Sequence, residues 1–527
     1  MNTFSEFDPL KAKQTIESEV AIFAVKREIR NILDSYVGWY DPFCELIQNA
    51  LDSIEEKISK GGKDYKPTLN ITIDIADNSI IVTDNGMGLD KQKYEQFLAP
   101  SFSFKSGKTR GHKGVGATYL AYGFNYIQIS TKTASFQAVG KMLGARDWLD
   151  DENPAGNPLV IPDANEPKDD MFNNFETGVS IYLKFDGKSH PGDLSWIRAD
   201  TAEKWHKILT IKTGLGAFYR NDKIHVNIKV LDKTSKESSI DIDGIEYFWP
   251  HQIVRRSNQC RNIFQKADEL FKKKGKDFKL PSSMLKSDAI FDIFDQTELD
   301  KVIKLDQAEK DIIAQYRPVV YACYMFSAKT WTVFNDTLAL RQNIQIITSG
   351  IQIAANNMPQ GEMYQIPLRR NIGRQHQVHC VFHFDNCKAD LGRKGFQKDI
   401  VEFCGTISRK LIEGPFSQLR YTLRPITGAI NDLGREAAVE EWKDEMIGHE
   451  SAYPLEIKNQ NFFIPTKKIS ITSVPTREQD VIALFNQLIA GGVIRGIRIM
   501  STNERFTYRP GPRQTGLNEG LNCVDLA

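Results

Sequence analysis

The sequence predicts a mixed α/β protein, and three observations carry that reading. Apolar residues recur at helical spacing over the first sixty positions, alternate with polar ones in short runs after them, and return to helical spacing near residue 200. Hydrophobic residues are 41% and charged residues 26% of the 527, a composition that supports packed cores rather than a disordered chain. At ~150 residues per domain, the length allows three or four domains.

Taken in order, Lys13 to Tyr36 is expected as a helix, on the spacing of Ile22, Val25, Ile29, Ile32, Leu33 and Tyr36. A second helix starts with Asp41 as N-cap and Pro42 at the first helical position, and ends before Gly61-Gly62. Leu69, Ile71, Ile73 and Ile75 alternate as a strand, and Ile80-Ile81-Val82 forms another that stops at Asp84-Asn85-Gly86. Phe124 to Thr131 and Val179 to Phe185 are two more strands, followed by helical spacing from Ser195 to Phe218. His225 to Val230 and Ile240 to Phe248 are expected to open a second domain, beyond a boundary near residues 190 to 220. Ile344 to Ala354, Tyr364 to Pro367 and Val378 to Phe384 then supply strands, and Ile400 to Ile412 a helix. Past Pro425 come a polar helix through Trp442, an amphipathic one at Glu478 to Leu488, and a tail after Arg509 that is expected to fray.

Charge and cysteine usage narrow the function classes. With 68 Lys+Arg against 67 Asp+Glu, a globally basic nucleic-acid coat and an acidic disordered chain are both excluded. The seven cysteines have no CxxC spacing, so neither a disulfide framework nor a zinc finger is indicated, and a reducing cytoplasm is the expected location. The start lacks an apolar signal region and no run approaches ~18 apolar residues, so no membrane span is expected. The segment holding His376, His379, Cys380, His383 and Cys387 invites a metal reading. In an extended strand, however, His379 and His383 stand about 13 Å apart on one face, with Cys380 on the other. Between Arg255 and Lys279 lies a basic stretch in which Phe264, Phe271 and Phe278 recur every seventh residue, as the apolar seam of a cationic helix would. It reads either as a phosphate-binding surface or as a docked insertion with solvated lysines.

Three motifs carry the candidate chemistry. Glu45, Asn49 and Asp52 fall at i, i+4 and i+7 of the second helix, on one face. Thr83 to Gly88, TDNGMG, follows a short strand, and Gly111 to Gly116, GHKGVG, opens a helix whose free N–H groups suit an anion. Separately these read as a solvated helix face, a hairpin turn and a weak glycine signal. In this order, the sequence resembles the GHKL ATPases, the superfamily of gyrase B, the heat-shock chaperone, the sensor histidine kinases and MutL, whose nucleotide fold the MORC ATPases share. The resemblance rests on ELIQNALD at Glu45 to Asp52, DNGMG at Asp84 to Gly88, GHKGVG, and TGVSIYL from Thr177, within about the first third of the chain.

The resemblance implies a Bergerat α/β sandwich over residues 1–215, an α+β transducer-like domain over 216–425 with the basic insertion at about 255–280, and a small helical or mixed C-terminal region over 426–527. It implies ATP and Mg²⁺ as ligands. Asp84 is expected to accept from the adenine amino group, with Thr177 beside it and Gly86 and Gly88 allowing close backbone approach. Asn49 would ligate Mg²⁺, Asp52 would lie toward the ribose or adenine, and Glu45 would serve as general base, which places the chain in the hydrolysing, MORC-like or MutL-like branch. Gly111, Lys113, Gly114, Val115 and Gly116 would cradle the phosphates, Lys105 would reach them from a short lid, and Lys394, with Arg393 as the alternative, would sense the γ-phosphate. The implied activity is an ATP-driven homodimeric clamp on DNA or RNA, in prokaryotic antiviral defence or genome maintenance, with a separately encoded effector such as a nuclease. A protein-remodelling chaperone is the alternative.

Overall fold

The computed structural model describes residues 18–61, 64–100, 115–152, 157–163, 167–218, 223–274, 287–355, 357–369, 372–385, 387, 395–419 and 423, with three short strands between 497 and 526. The chain divides into two units. Residues 1–253, 257–280 and 289–421 form one, and residues 254–256, 281–288 and 422–527 the other. The mixed α/β class read from the sequence holds.

In the first unit, α1 (Ser18–Leu33) and α2 (Asp41–Lys60) precede β1 (Thr68–Asp74), β2 (Ser79–Asp84), α3 (Lys91–Gln96), α4 (Val115–Tyr122), β3 (Tyr126–Lys132), β4 (Gln137–Leu143), α5 (Ala145–Asp150), β5 (Val160–Pro162), β6 (Gly178–Lys184), α6 (Ala202–Lys212), β7 (His225–Leu231) and β8 (Glu237–Asp243). The eight strands form one sheet in the order β5-β4-β3-β6-β2-β1-β7-β8. Its pairings are antiparallel except β1 with β7, where Thr68 lies opposite His225. Strand alternation sorts the two faces. Leu69, Ile71 and Ile73 enter one core with Ile47, Leu51 and Ile54 of α2 and Ile208 of α6. The other face is polar: Thr83 and Ser180 share a 2.8 Å hydroxyl contact, and Gln128 Nε2 donates to Asp163 at 2.8 Å.

His225 to Val230 and the following strand therefore extend the first sheet instead of opening a second one, a correction to the sequence reading. Local periodicity identified the strand β7 but not its partner, because a parallel pair is made between distant parts of the chain. The α2 boundary also shifts. Asp41 is inside the helix, and its carboxylate turns back to accept from Gly38 N–H at 2.7 Å rather than capping forward. Two arrangements hold the helical layer in place. Trp39, Phe43 and Trp205 stack with centroid spacings of 5.2 to 6.1 Å, fixing the start of α2 against α6. Lys26, 1% exposed, donates to the carbonyls of Trp148 and Asp151 (2.8 Å to the latter), so a cation from α1 meets the negative end of α5.

A six-stranded sheet follows in the same unit. It comprises β9 (Ser257–Gln259), β10 (Ala289–Phe294), β11 (Val319–Met325), β12 (Gly350–Ala355), β13 (Met358–Tyr364) and β14 (Val378–Phe384), in the order β13-β12-β14-β11-β10-β9. The helices here are α7 (Cys260–Lys274), α8 (Gln296–Val302), α9 (Gln307–Tyr316), α10 (Lys329–Thr337) and α11 (Lys398–Leu411). The strand expected at Tyr364 to Pro367 lies earlier, at β13, where Pro359 is tolerated because the strand is at the sheet edge. Phe334 and Leu338 of α10 and its C-cap, with Ile346 and Ile347, belong to the same apolar core as the first sheet. In the second unit, β15 (Ile497–Met500) pairs with β16 (Arg505–Thr507) and β17 (Val524–Leu526), so the tail expected to fray carries a strand too short to show a period. Among the described residues no helix is long and apolar enough to cross a membrane.

Candidate active site

The helix α2 is the spine on which the sequence motifs meet. Its buried stripe, Phe43, Ile47, Leu51 and Ile54, leaves Glu45, Asn49 and Asp52 on the opposite face. Glu45 is 4% exposed. Its Oε1 accepts from the Tyr36 hydroxyl at 2.9 Å, and the Tyr36 ring stacks on Tyr119 of α4 with centroids 4.1 Å apart. Tyr119 is anchored in turn by donating to the His190 carbonyl at 3.0 Å. The opposite carboxylate oxygen, Oε2, lies against the first turn of α4, so close to Gly116 that a Cβ there would stand 2.0 Å from it. Only glycine permits that approach, which brings the third motif onto the first.

Two turns along α2 the second motif closes on the same helix. Asp84, 3% exposed at the end of β2, accepts from the Gly86 N–H at 2.8 Å and from the Ser53 hydroxyl at 3.0 Å, both at Oδ1. Burial pushes its carboxyl up to about 7; the Gly86 N–H, the Ser53 hydroxyl and the Lys57 charge oppose that rise without cancelling it. Ser53 Oγ also accepts from Met87 N–H at 3.0 Å, and a Cβ on Gly86 would meet the Ser53 backbone at 2.6 Å. Gly88 adopts φ +70° beside the Lys132 carbonyl. Thr177, just before β6, donates to the Gly86 carbonyl at 2.5 Å.

The structure thus brings Glu45, Asn49 and Asp52 onto one helix, Gly116 onto Glu45, and Gly86 and Thr177 onto the turn that holds Asp84. Val115 is the first residue of α4. Lys105, Gly111, Lys113, Gly114, Arg393 and Lys394 lie outside the described residues. Three participants were missed. Ser53 and Lys57 continue the helical periodicity beyond Asn49, at i+4 and i+8, and extending that face would have found them. Lys57 Nζ donates to the Asn85 carbonyl at 2.8 Å and to Thr177 Oγ1 at 2.7 Å. Tyr36 has no such signal, since its meeting with Glu45 depends on the turn that separates α1 from α2.

Elsewhere the two buried strand histidines meet backbone groups. His379 contacts the Thr348 carbonyl at 2.5 Å, and His383 Nε2 accepts from Asn357 N–H at 2.9 Å. Arg374 lines a cavity with Phe326, Ser327, Ile372 and Gln377 that includes none of the residues above. In α7, Cys260 and Ile263 are buried and Phe264 half-buried, so the apolar seam is centred on Cys260 and Ile263 at its start and not on Phe264. Arg261 is engaged with Asp292 at 2.8 Å and Glu298 at 2.7 Å, whereas Lys266, Lys272 and Lys273 are exposed.

No protein-family model matches this chain, and no curated protein matches its sequence.

Proposed function

We propose that this chain is an ATP hydrolase of the GHKL type. The observation that carries the proposal is the convergence on α2: a buried glutamate facing Gly116 in the first turn of α4 at one end, and a buried aspartate in a glycine turn facing Ser53 at the other. Glu45 and Ser53 are eight residues apart, about 12 Å along a helix, a span comparable with the reach from a purine to the last phosphate of its chain.

In this reading Asp84 accepts from the adenine amino group in a dry setting, where an unmatched partner is costly. Asn49 would hold Mg²⁺ through its neutral amide oxygen, a hard donor, and the metal would supply positive charge against the phosphates. Glu45, held at Oε1 by the Tyr36 hydroxyl and turned with Oε2 toward Gly116, takes the proton of the attacking water. The water oxygen, as that proton leaves, forms the new bond to the γ-phosphorus while the bond to the bridging oxygen breaks, and ADP leaves with the electron pair. Lys394, outside the described residues, is the proposed γ-phosphate cation. Exposed lysines of α7 support a nucleic-acid partner for an ATP-dependent homodimeric clamp.

Steady-state hydrolysis by the wild type and Glu45→Ala, with and without duplex DNA, single-stranded DNA or RNA, tests the reading. Glu45→Ala is expected to bind ATP normally and lose turnover by roughly 10²–10⁴-fold, the range of general-base removal. Equal loss of binding and turnover would remove Glu45 from that role. Turnover indifferent to every nucleic acid would direct attention to a protein partner.

A further inference from the structure

We infer that Lys57 sets the base specificity of the proposed nucleotide site, by locking the Thr177 hydroxyl as a hydrogen-bond acceptor so that the site selects a 6-amino purine over a 6-oxo purine. The inference rests on the nucleotide reading above and adds a positioning residue to it.

A hydroxyl has one proton and two lone pairs. At Thr177 the proton is committed to the Gly86 carbonyl at 2.5 Å, and one lone pair receives Lys57 Nζ at 2.7 Å. What remains is a single lone pair. Lys57 is held as firmly as the hydroxyl it fixes. It also donates to the Asn85 carbonyl at 2.8 Å, and its ammonium lies 4.3 Å from the centroid of the Tyr65 ring. Tyr65 is tied back by donating to Asn85 Oδ1 at 3.0 Å, and Asn85 also accepts from Thr68 N–H and donates to the Lys66 carbonyl. The network leaves the ammonium no low-cost way to turn aside.

The turn therefore offers a ligand two acceptors, the Asp84 carboxylate and the remaining Thr177 lone pair, and no hydroxyl donor. A 6-amino group carries two N–H bonds and can meet both. A 6-oxo group carries lone pairs only and would face acceptors on each side, an unfavourable contact that acts by repulsion rather than by lost attraction. Without Lys57 the Thr177 side chain is held by the Gly86 bond alone and can turn about χ1, giving up that bond to offer its proton to the ligand, which relaxes the rule.

Adenosine and inosine triphosphates share sugar and phosphates and differ at the 6-position, so their affinity ratio isolates the effect. The ratio is measured by calorimetric titration of the full chain as wild type, Lys57→Met, Lys57→Arg and Asp84→Asn, with unfolding midpoints taken in parallel. The wild type is expected to favour ATP by on the order of 100-fold, and Lys57→Met to reduce that ratio about tenfold, with Lys57→Arg retaining most of it. A Lys57→Met ratio equal to the wild-type ratio, with both affinities lowered together, overturns the inference and makes Lys57 a purely structural residue. Should Lys57→Met fail to fold, Thr177→Val, which removes the acceptor that Lys57 fixes, takes its place, and a ratio equal to the wild-type ratio overturns the inference equally. Wild type that binds neither nucleotide overturns the nucleotide reading itself, whereas Asp84-dependent ATP binding with a Lys57-independent ratio defeats this inference alone.

Discussion

Glu45 and Asp84 are two buried carboxylates whose surroundings differ in kind. Glu45 is held by a tyrosine hydroxyl, so Tyr36→Phe removes one hydrogen bond while leaving the stack on Tyr119 in place. The expected result is turnover lowered about tenfold at unchanged KM, the mark of an interaction that matters to orientation in the transition state. A raised KM at constant turnover would point instead to substrate binding. Asp84 sets a pH dependence. Its carboxyl is pushed up to about 7 by burial, so the accepting, charged form prevails only above that value. ATP affinity is expected to rise from pH 6 to pH 8, by up to about tenfold per unit on the acidic side, and to flatten in Asp84→Asn. Protein stability runs the other way. The folded chain keeps a proton that the unfolded chain releases near the ordinary carboxylate value, so this group's contribution falls as pH rises from there to about 7. Nucleotide titrations and denaturant melts across that window separate the two effects.

At the scale of elements, much of the site was legible because one helix organises it. Periodicity over 41–60 is a strong signal, and it placed three of the acidic and amide side chains on one face before any tertiary information. The glycines were legible as a pattern, but their reason was not. Gly116 is required by the Glu45 carboxylate and Gly86 by the Ser53 backbone, contacts between segments that sequence spacing cannot measure. The basic helix α7 was also visible in the sequence, yet the ion pairs that commit Arg261 to Asp292 and Glu298 were not, since those acids lie on β10 and α8. The cations left for a partner are lysines. Reversing Lys272 and Lys273 to Glu is expected to weaken nucleic-acid binding and reduce the salt slope by roughly two phosphate contacts. An unchanged slope would return α7 to the role of a solvated helix.

For the molecule as a whole, the two large sheets lie in one unit, and α10 places Phe334 in the core beneath the first of them. Sequence reading located most strands of the first sheet but ended it too early, because β7 and β8 look like the start of something new until β7 is seen beside β1. A chain cut after residue 215 would leave β1 as an unprotected edge strand with its hydrogen-bonding groups open. Such a fragment is expected to aggregate or melt far earlier than one cut after residue 253, and thermal unfolding monitored with light scattering would decide the matter. Comparable behaviour of the two fragments would mean that β7 contributes little to the sheet.

That same parallel pairing has a meaning during synthesis. At ~5–20 residues per second, a ribosome that has just finished β6 has already made Glu45, Asn49, Asp84, Gly116 and Thr177, yet the strand that seals β1 is still to come. For several seconds the nascent chain carries every described residue of the proposed site on an incomplete sheet. The parts of the site precede their scaffold in time, and the sheet reaches its final order only when the polypeptide returns, from the far side of α6, to the strand it laid down near its beginning.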